Sequence, residues 1–351
     1  MESACLSCHN ARTIITLEGM TKDWWRFDVC KMRHTFGAEV SDVDTAKIIK
    51  YLEDNYSWPD PVEDRERTGT DVIERVCYQT PESVLYHAPE DVYLVSNING
   101  SPLGVDGDGF ISKIAADGTA LDLTWISGER EGTVLNAPKG MAIQGSTLYV
   151  ADLTVVRKFD LRTGGPTGNI PIPGSTFLND VCEGPNGSVY VTDTGLSGNT
   201  EGFVNTRTDA VYRIEADDRY RAIATGTVLG QPNGCVAVPG GLVVVTFGSG
   251  EVYRLDDDGT RHPMPRPPRG VLDGVVALGD GRLVISSFGG QAIYILRHDQ
   301  TYEALAPLVD NPADIAWDQK RGRIVVPQFM KSRVVYFNLD GATAGATPTG
   351  P

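Results

Sequence analysis

Between about residue 71 and residue 338 the chain is a succession of short apolar runs separated by Gly, Pro, Asn and Asp. Six runs open on one plan, a Pro or Leu, then a channel-type residue, then a short strand: P-E-S-V-L-Y at 81, P-K-G-M-A-I at 138, L-N-D-V-C-E at 178, P-N-G-C-V-A at 232, L-D-G-V-V-A at 272 and P-A-D-I-A-W at 312. Each is followed by a second apolar run, VYLVSN, TLYVAD, SVYVTD, GLVVVT, RLVISS and RIVVPQ. The second residues of the six segments, Glu82, Lys139, Asn179, Asn233, Asp273 and Ala313, are 57, 40, 54, 40 and 40 residues apart. A period-two strand rhythm at a 40-residue repeat matches one four-stranded blade. The expected fold is therefore mainly β, a six-bladed β-propeller. The sixth repeat runs out after three strands, and an unpaired outer edge is costly. D-V-I-E-R-V-C-Y, residues 71–78, is strand-like and is expected to close the last blade.

The pattern ahead of the repeats is helical. Thr21 to Arg33 is helix-compatible, and Ser41 is placed as N-cap of a second helix with Asp42 and Asp44 in its first turn. That helix is expected to gather Ile48, Tyr51 and Leu52 on one face. Residues 57–70 are charged, carry two prolines and lack an apolar period, which reads as a linker. The expected organisation is a small α-helical domain over 1–56, a linker over 57–70 and the propeller over 71–351.

Composition narrows the function classes. The chain has 351 residues and a formal net charge of −15, so nucleic-acid backbones and anionic membrane surfaces are disfavoured as partners. No apolar run approaches the roughly 18 residues of a membrane span. The six cysteines do not read as a disulfide framework in a chain able to bury its own core. Cys182 and Cys235 in particular read as small buried hydrophobes.

Two candidate chemistries remain. Cys5, Cys8 and His9 form C-L-S-C-H, the spacing at which two thiols add to the haem vinyl groups and the adjacent His meets the iron. The second axial ligand is Met20, Met32 or His34. In the propeller, the residue that starts each innermost strand faces the central channel. Glu82, Asn179, Asn233 and Asp273 are oxygen donors at matching positions, a set that suits Ca²⁺, with Zn²⁺ or Mn²⁺ as alternatives. Taken singly, Asn-Gly at 233 and Asp-Gly at 273 are also ordinary turn pairs. Lys139 holds the second-repeat position, where its charge either stabilises an oxyanion or neutralises Asp180 or Asp314 across the channel. The extra length of the first and third repeats falls in loops expected to overhang this mouth, with Phe203, Asn205 and Arg207 as candidate substrate contacts. D-G-D-G at 106 lacks an oxygen donor at Phe110 and reads as a turn.

Residues 5–56 resemble the short haem domains of c-type cytochromes, especially those of quinohaemoprotein dehydrogenases, through C-x-x-C-H, Trp25, Met32 and the closing Tyr51-Leu52. The resemblance implies haem c with Met32 as axial ligand, an electron-transfer role with a redox partner protein, and a periplasmic or otherwise exported location. No signal peptide is visible in this chain. Only four residues precede Cys5, where that family has a packing helix.

Residues 78–338 resemble the gluconolactonase, regucalcin (senescence marker protein) and luciferin-regenerating enzyme family, through P-E-S-V, F-L-N-D-V, P-N-G and L-D-G. The resemblance implies a metal held by Glu82, Asn179, Asn233 and Asp273, a lactone or ester substrate, and Asp273 as proton acceptor. Sugar-lactone members carry Arg two residues before the third-repeat Asn, and this chain has Phe177. Phe177 and Arg207 are the candidate substrate contacts, and the departure at Phe177 implies either a less polar substrate or a lost activity. Two functions follow: a metal-dependent lactonase or esterase fused to a haem domain, or an electron-transfer cytochrome whose propeller is a non-catalytic binding or scaffold module.

Overall fold

The computed structural model describes Trp25, Val29, Cys30 and Met32, then residues 40–56, 72–73, 77–199, 202–306 and 308–339. Its β strands form six four-stranded antiparallel sheets and one extra hairpin. In each sheet the run that opens a repeat is innermost and the following strands step outward. Blade one comprises Pro81–His87, Val92–Asn97, Phe110–Ala115 and Ala120–Ser127. The inner strands of blades two to six are Pro138–Gln144, Leu178–Glu183, Pro232–Val238, Leu272–Ala277 and Ala316–Asp318. Neighbouring inner strands touch in sequence and the sixth touches the first, so the ring is closed. Closure is tightened just before Ala316, where the Asp314 N–H donates to Glu82 O at 2.9 Å and the Val84 N–H to Asp314 O at 3.3 Å.

Val72–Ile73 pairs antiparallel with Arg333–Asn338 as the outermost strand of blade six. Residues from before the first repeat thereby complete the last. Every blade interface carries its own apolar cluster, for example Ala142, Tyr149, Val156, Val181, Val191 and Ile214 between blades two and three. This is the burial that alternating strands demand when sheets stack face to face around an axis.

The helix α1, Asp42–Tyr56, is capped as anticipated, the Asp44 N–H donating to Ser41 Oγ at 3.1 Å. Its buried stripe is Thr45, Ile48, Ile49 and Leu52, while Tyr51 is 43 % exposed. The expected inclusion of Tyr51 fails because the helix lies on the outer strand Ala120–Ser127 of blade one with Thr45 and Ile49 on its buried side instead. Ile48, Ile49 and Leu52 join Trp25, Val29 and Cys30 in one cluster with Ala116, Ala120 and Leu123 of the propeller. The face expected to cover a haem ring therefore packs on blade one.

Two expectations about cysteine are corrected. Cys30 and Cys77 form a disulfide with Cα atoms 5.4 Å apart, tying the helical segment to the entry of blade one. Cys182 and Cys235 form a second, Cα to Cα 6.0 Å, between the inner strands of blades three and four. Buried they are, but their facing positions on adjacent strands make them partners rather than isolated hydrophobes. Among the described residues no helix is long and apolar enough to cross a membrane.

Candidate functional site

The inner strands share a local irregularity. In blades two to five, pairing with the second strand holds at the opening Pro or Leu, lapses for two residues, and resumes at Met141, Val181, Cys235 and Val275. In blade one the lapse is a single residue, Glu82. The unpaired residues are Glu82, Lys139-Gly140, Asn179-Asp180, Asn233-Gly234 and Asp273-Gly274. A bulge re-aims side chains that a regular strand would send into the neighbouring blade, and here it delivers the polar residues to the channel.

All five polar channel residues are buried: Glu82, Lys139, Asn179, Asn233 and Asp273. Asn179 Nδ2 donates to Thr194 Oγ1 at 2.9 Å, and Asn233 Nδ2 donates to Leu272 O at 3.3 Å. With both amide nitrogens so engaged, the amide oxygens are the remaining polar atoms. Glu82 Oε2 and Asp273 Oδ1 are buried without any hydrogen-bond partner. A buried carboxylate oxygen left bare costs of the order of 1–3 kcal/mol or more, so these two atoms fit a cation. No group of three or more His, Cys, Asp or Glu with metal-holding geometry occurs among the described residues. Any cation here would draw on two carboxylates and two amide oxygens, which are hard donors.

Electrostatics agree with close approach. Burial holds Glu82 well above the usual carboxylate range, reinforced by Asp273 and Asp314 and opposed by Lys139. Burial also pushes Asp273 up to about 8, with Asp180 adding to the rise and the neighbouring Asn233 amide opposing it. Lys139 is lowered to about 8 by burial, against the attraction of Glu82 and Asp152. Its Nζ donates to Ala137 O at 2.9 Å and stands 4.4 Å from the Phe177 ring centre. The attraction on Lys139 comes from Glu82 and Asp152, not from the Asp180 or Asp314 that the sequence offers as partners. Lys139 leans toward the mouth rather than down the channel.

One residue deeper, the series Ser83, Gly140, Asp180, Gly234, Gly274, Asp314 forms a waist. Asp180 Oδ2 accepts from the Cys235 N–H at 2.7 Å, and Asp314 Oδ2 accepts from Ser83 Oγ at 2.5 Å. A Cβ added at Gly140 would collide with the Asp180 carboxylate, and one at Gly274 with that of Asp314. Each Asp thus occupies room left by a glycine on the preceding blade. Below the waist, Val84, Met141, Val181, Cys235, Val275 and Ile315 line a cavity of about 470 Å³ that opens on the opposite face.

Above the mouth, Phe177 is buried and its N–H donates to Asp193 Oδ1 at 2.9 Å. The extra hairpin, Leu196–Asn199 with Gly202–Asn205, brings Phe203 edge-on to Phe177, ring centres 6.2 Å apart. Arg207 and Asn205 are exposed, the Arg207 N–H donating to Asn205 Oδ1 at 2.7 Å. Sequence reasoning missed the hydroxyl cluster of Thr176, Thr206 and Thr208, at 2.7, 2.8 and 3.1 Å from one another. Thr176 is some thirty residues from its partners, and no periodic signal links them. Of the haem candidates, Met32 is helical and half-buried, while Cys5, Cys8, His9, Met20 and His34 lie outside the described residues.

No protein-family model matches the sequence, and no curated protein matches it significantly. Solved structures do. A gluconolactonase from Xanthomonas campestris is 18% identical over 76% of this chain and 88% of its own, with a TM-score of 0.58. A luciferin-regenerating enzyme is 13% identical over 78% and 95%, with a TM-score of 0.57. A streptogramin B lyase is 13% identical over 77% and 97%, with a TM-score of 0.53. Because one architecture hosts different chemistries, what these likenesses show is the fold, a β-propeller.

Proposed function

We propose that the propeller is a divalent-cation-dependent hydrolase of a lactone or ester. The observation that carries this reading is the pair of buried, unpartnered oxygens, Glu82 Oε2 and Asp273 Oδ1, beside two asparagines with engaged amide nitrogens. Gluconolactonase-like neighbours support the substrate class. Glu82, Asn179, Asn233 and Asp273 hold the cation, Ca²⁺ before Zn²⁺ or Mn²⁺. When bound, it supplies Lewis acidity to a carbonyl oxygen and relieves the burial cost of both carboxylates.

The remaining work falls to the chain. Asp273 accepts a proton from the attacking water as the new C–O bond forms, and returns it to the alkoxide released when the ring or ester C–O bond breaks. Lys139, fixed by Ala137 O under the Phe177 ring, faces the developing oxyanion with its charge. Phe177 keeps bulk water from that charge.

The test uses the full chain, a lactone and ester panel, and acid release with Ca²⁺, Zn²⁺ or Mn²⁺ added. Asp273→Ala should cost at least ~10²-fold in turnover. Asp273→Asn keeps an oxygen donor, so it should retain cation binding by calorimetry while losing turnover. A wild-type protein that releases no acid on the whole panel leaves the propeller as a scaffold. For residues 1–56, C-L-S-C-H supports covalent haem c at Cys5 and Cys8, with His9 and Met32 on the iron, electron transfer to a redox partner, and an exported location.

A further inference from the structure

We infer that this mouth selects substrates bearing an apolar tail, alkyl or aryl, over polyhydroxylated rings, and that Phe203 and Leu103 set the preference. The inference rests on the hydrolase reading above and names its substrate class. Three contacts carry it. Phe177 is held from below, its N–H on Asp193 and its ring over Lys139. Phe203 meets that ring edge-on at 89° and is itself 56 % exposed. Opposite Phe203 in the hairpin stands Gly198, where an added Cβ would come within 2.7 Å of Leu103 Cδ1. The long loop of blade one and the long hairpin of blade three therefore meet. Leu103, Phe203 and Phe177 make an apolar path from the surface to the Lys139 ammonium.

The path is fixed in place. Thr176, next to Phe177, shares hydroxyl contacts with Thr206 and Thr208 at the base of the hairpin, which locks the Phe203 strand to the Phe177 strand. Those hydroxyls are engaged with one another, which leaves a sugar at most their spare acceptor lone pairs. A polyhydroxylated ring lying on Phe203 and Leu103 would find no hydrogen-bond partner for its hydroxyls on that face. An alkyl or aryl tail would instead cover the exposed face of Phe203 and gain from the burial.

The experiment has two arms. In the first, kcat/KM is measured for an unsubstituted δ-lactone, a δ-lactone with a long alkyl tail, and glucono-1,5-lactone. The tailed substrate should lead by about tenfold or more, as apolar pockets discriminate. Phe203→Ser should remove about tenfold from the tailed substrate alone, and Phe203→Leu should restore most of it. Equal losses on the tailed and unsubstituted rings would mean that Phe203 only supports the fold, and would overturn the inference. So would a preference for glucono-1,5-lactone. In the second arm, binding of an alkyl-substituted lactam and a polyhydroxylated lactam, neither of which is hydrolysed, is compared by calorimetry. If no lactone is turned over yet the alkyl lactam binds more tightly and Phe203→Ser weakens it, the hydrolase reading falls and the apolar site stands. If the alkyl lactam binds no more tightly than the polyhydroxylated one, or neither binds, the inference is wrong.

Discussion

Removing the Cys30–Cys77 disulfide should release the helical segment from blade one before the propeller unfolds. The two cysteines are 47 residues apart in sequence. In the chain-entropy view a cross-link closing a loop of that size stabilises by about 4 kcal/mol, close to a thousandfold in the docking equilibrium. What remains in the Cys30→Ser/Cys77→Ser variant is one apolar face, Ile48, Ile49 and Leu52 with Trp25 and Val29, against Ala116, Ala120 and Leu123. Such a face must by itself repay the ordering of α1 and of the preceding segment. Urea titration followed by helical circular dichroism at 222 nm, with limited proteolysis at each urea concentration, separates the two events. The expected result is an early loss of helix and early cleavage ahead of blade one, followed by propeller unfolding near its original midpoint. A single transition at the wild-type midpoint, with no early cleavage, would show that apolar packing alone holds the segment and that the chain-entropy argument fails here.

Two further outcomes are expected. Burial lowers Lys139 to about 8, against about 10.4 for a lysine in an unfolded chain. Between those values the unfolded chain carries the extra proton, so wild-type stability gains as pH rises from 8 toward 10.4, while below 8 the cost of the buried charge is borne in full. Lys139→Met lacks that proton. Its stability relative to wild type, from urea unfolding, should fall by up to about 3 kcal/mol between pH 7 and pH 10, and a constant difference would mean that Lys139 is not a buried ammonium. For the haem, reduced protein produced with a haem-attachment system should show sharp low-spin visible bands that Met32→Ala converts to high-spin. Bands absent from such protein would remove the cytochrome proposal, and conversion by Met20→Ala in place of Met32→Ala would move the ligand.

The chain's local patterns determine a good deal. Blade number follows from the recurrence of opening runs at Pro81, Pro138, Leu178, Pro232, Leu272 and Pro312, because a blade's strands pair mostly with their sequence neighbours. The same register places Glu82, Lys139, Asn179, Asn233 and Asp273 at one level of the channel, since equivalent residues of equivalent strands must share a height. Ser41 caps α1 through a contact three residues long. What needed the folded molecule is whatever depends on how separate elements come to rest. Cys30 finds Cys77, and Cys182 finds Cys235, across 47 and 53 residues, and no spacing rule encodes those pairs. Tyr51 turns outward because the helical period leaves open which face is buried, and contact with blade one chooses it. Lys139 feels Glu82 and Asp152 rather than Asp180 and Asp314 because bulges set where each channel side chain points. The meeting of Leu103 with Gly198 likewise joins two insertions that are silent in sequence about each other. Periodicity is a short-range property of the chain and can be read along it, whereas partner choice among buried charges, thiols and loop tips is settled by packing in three dimensions.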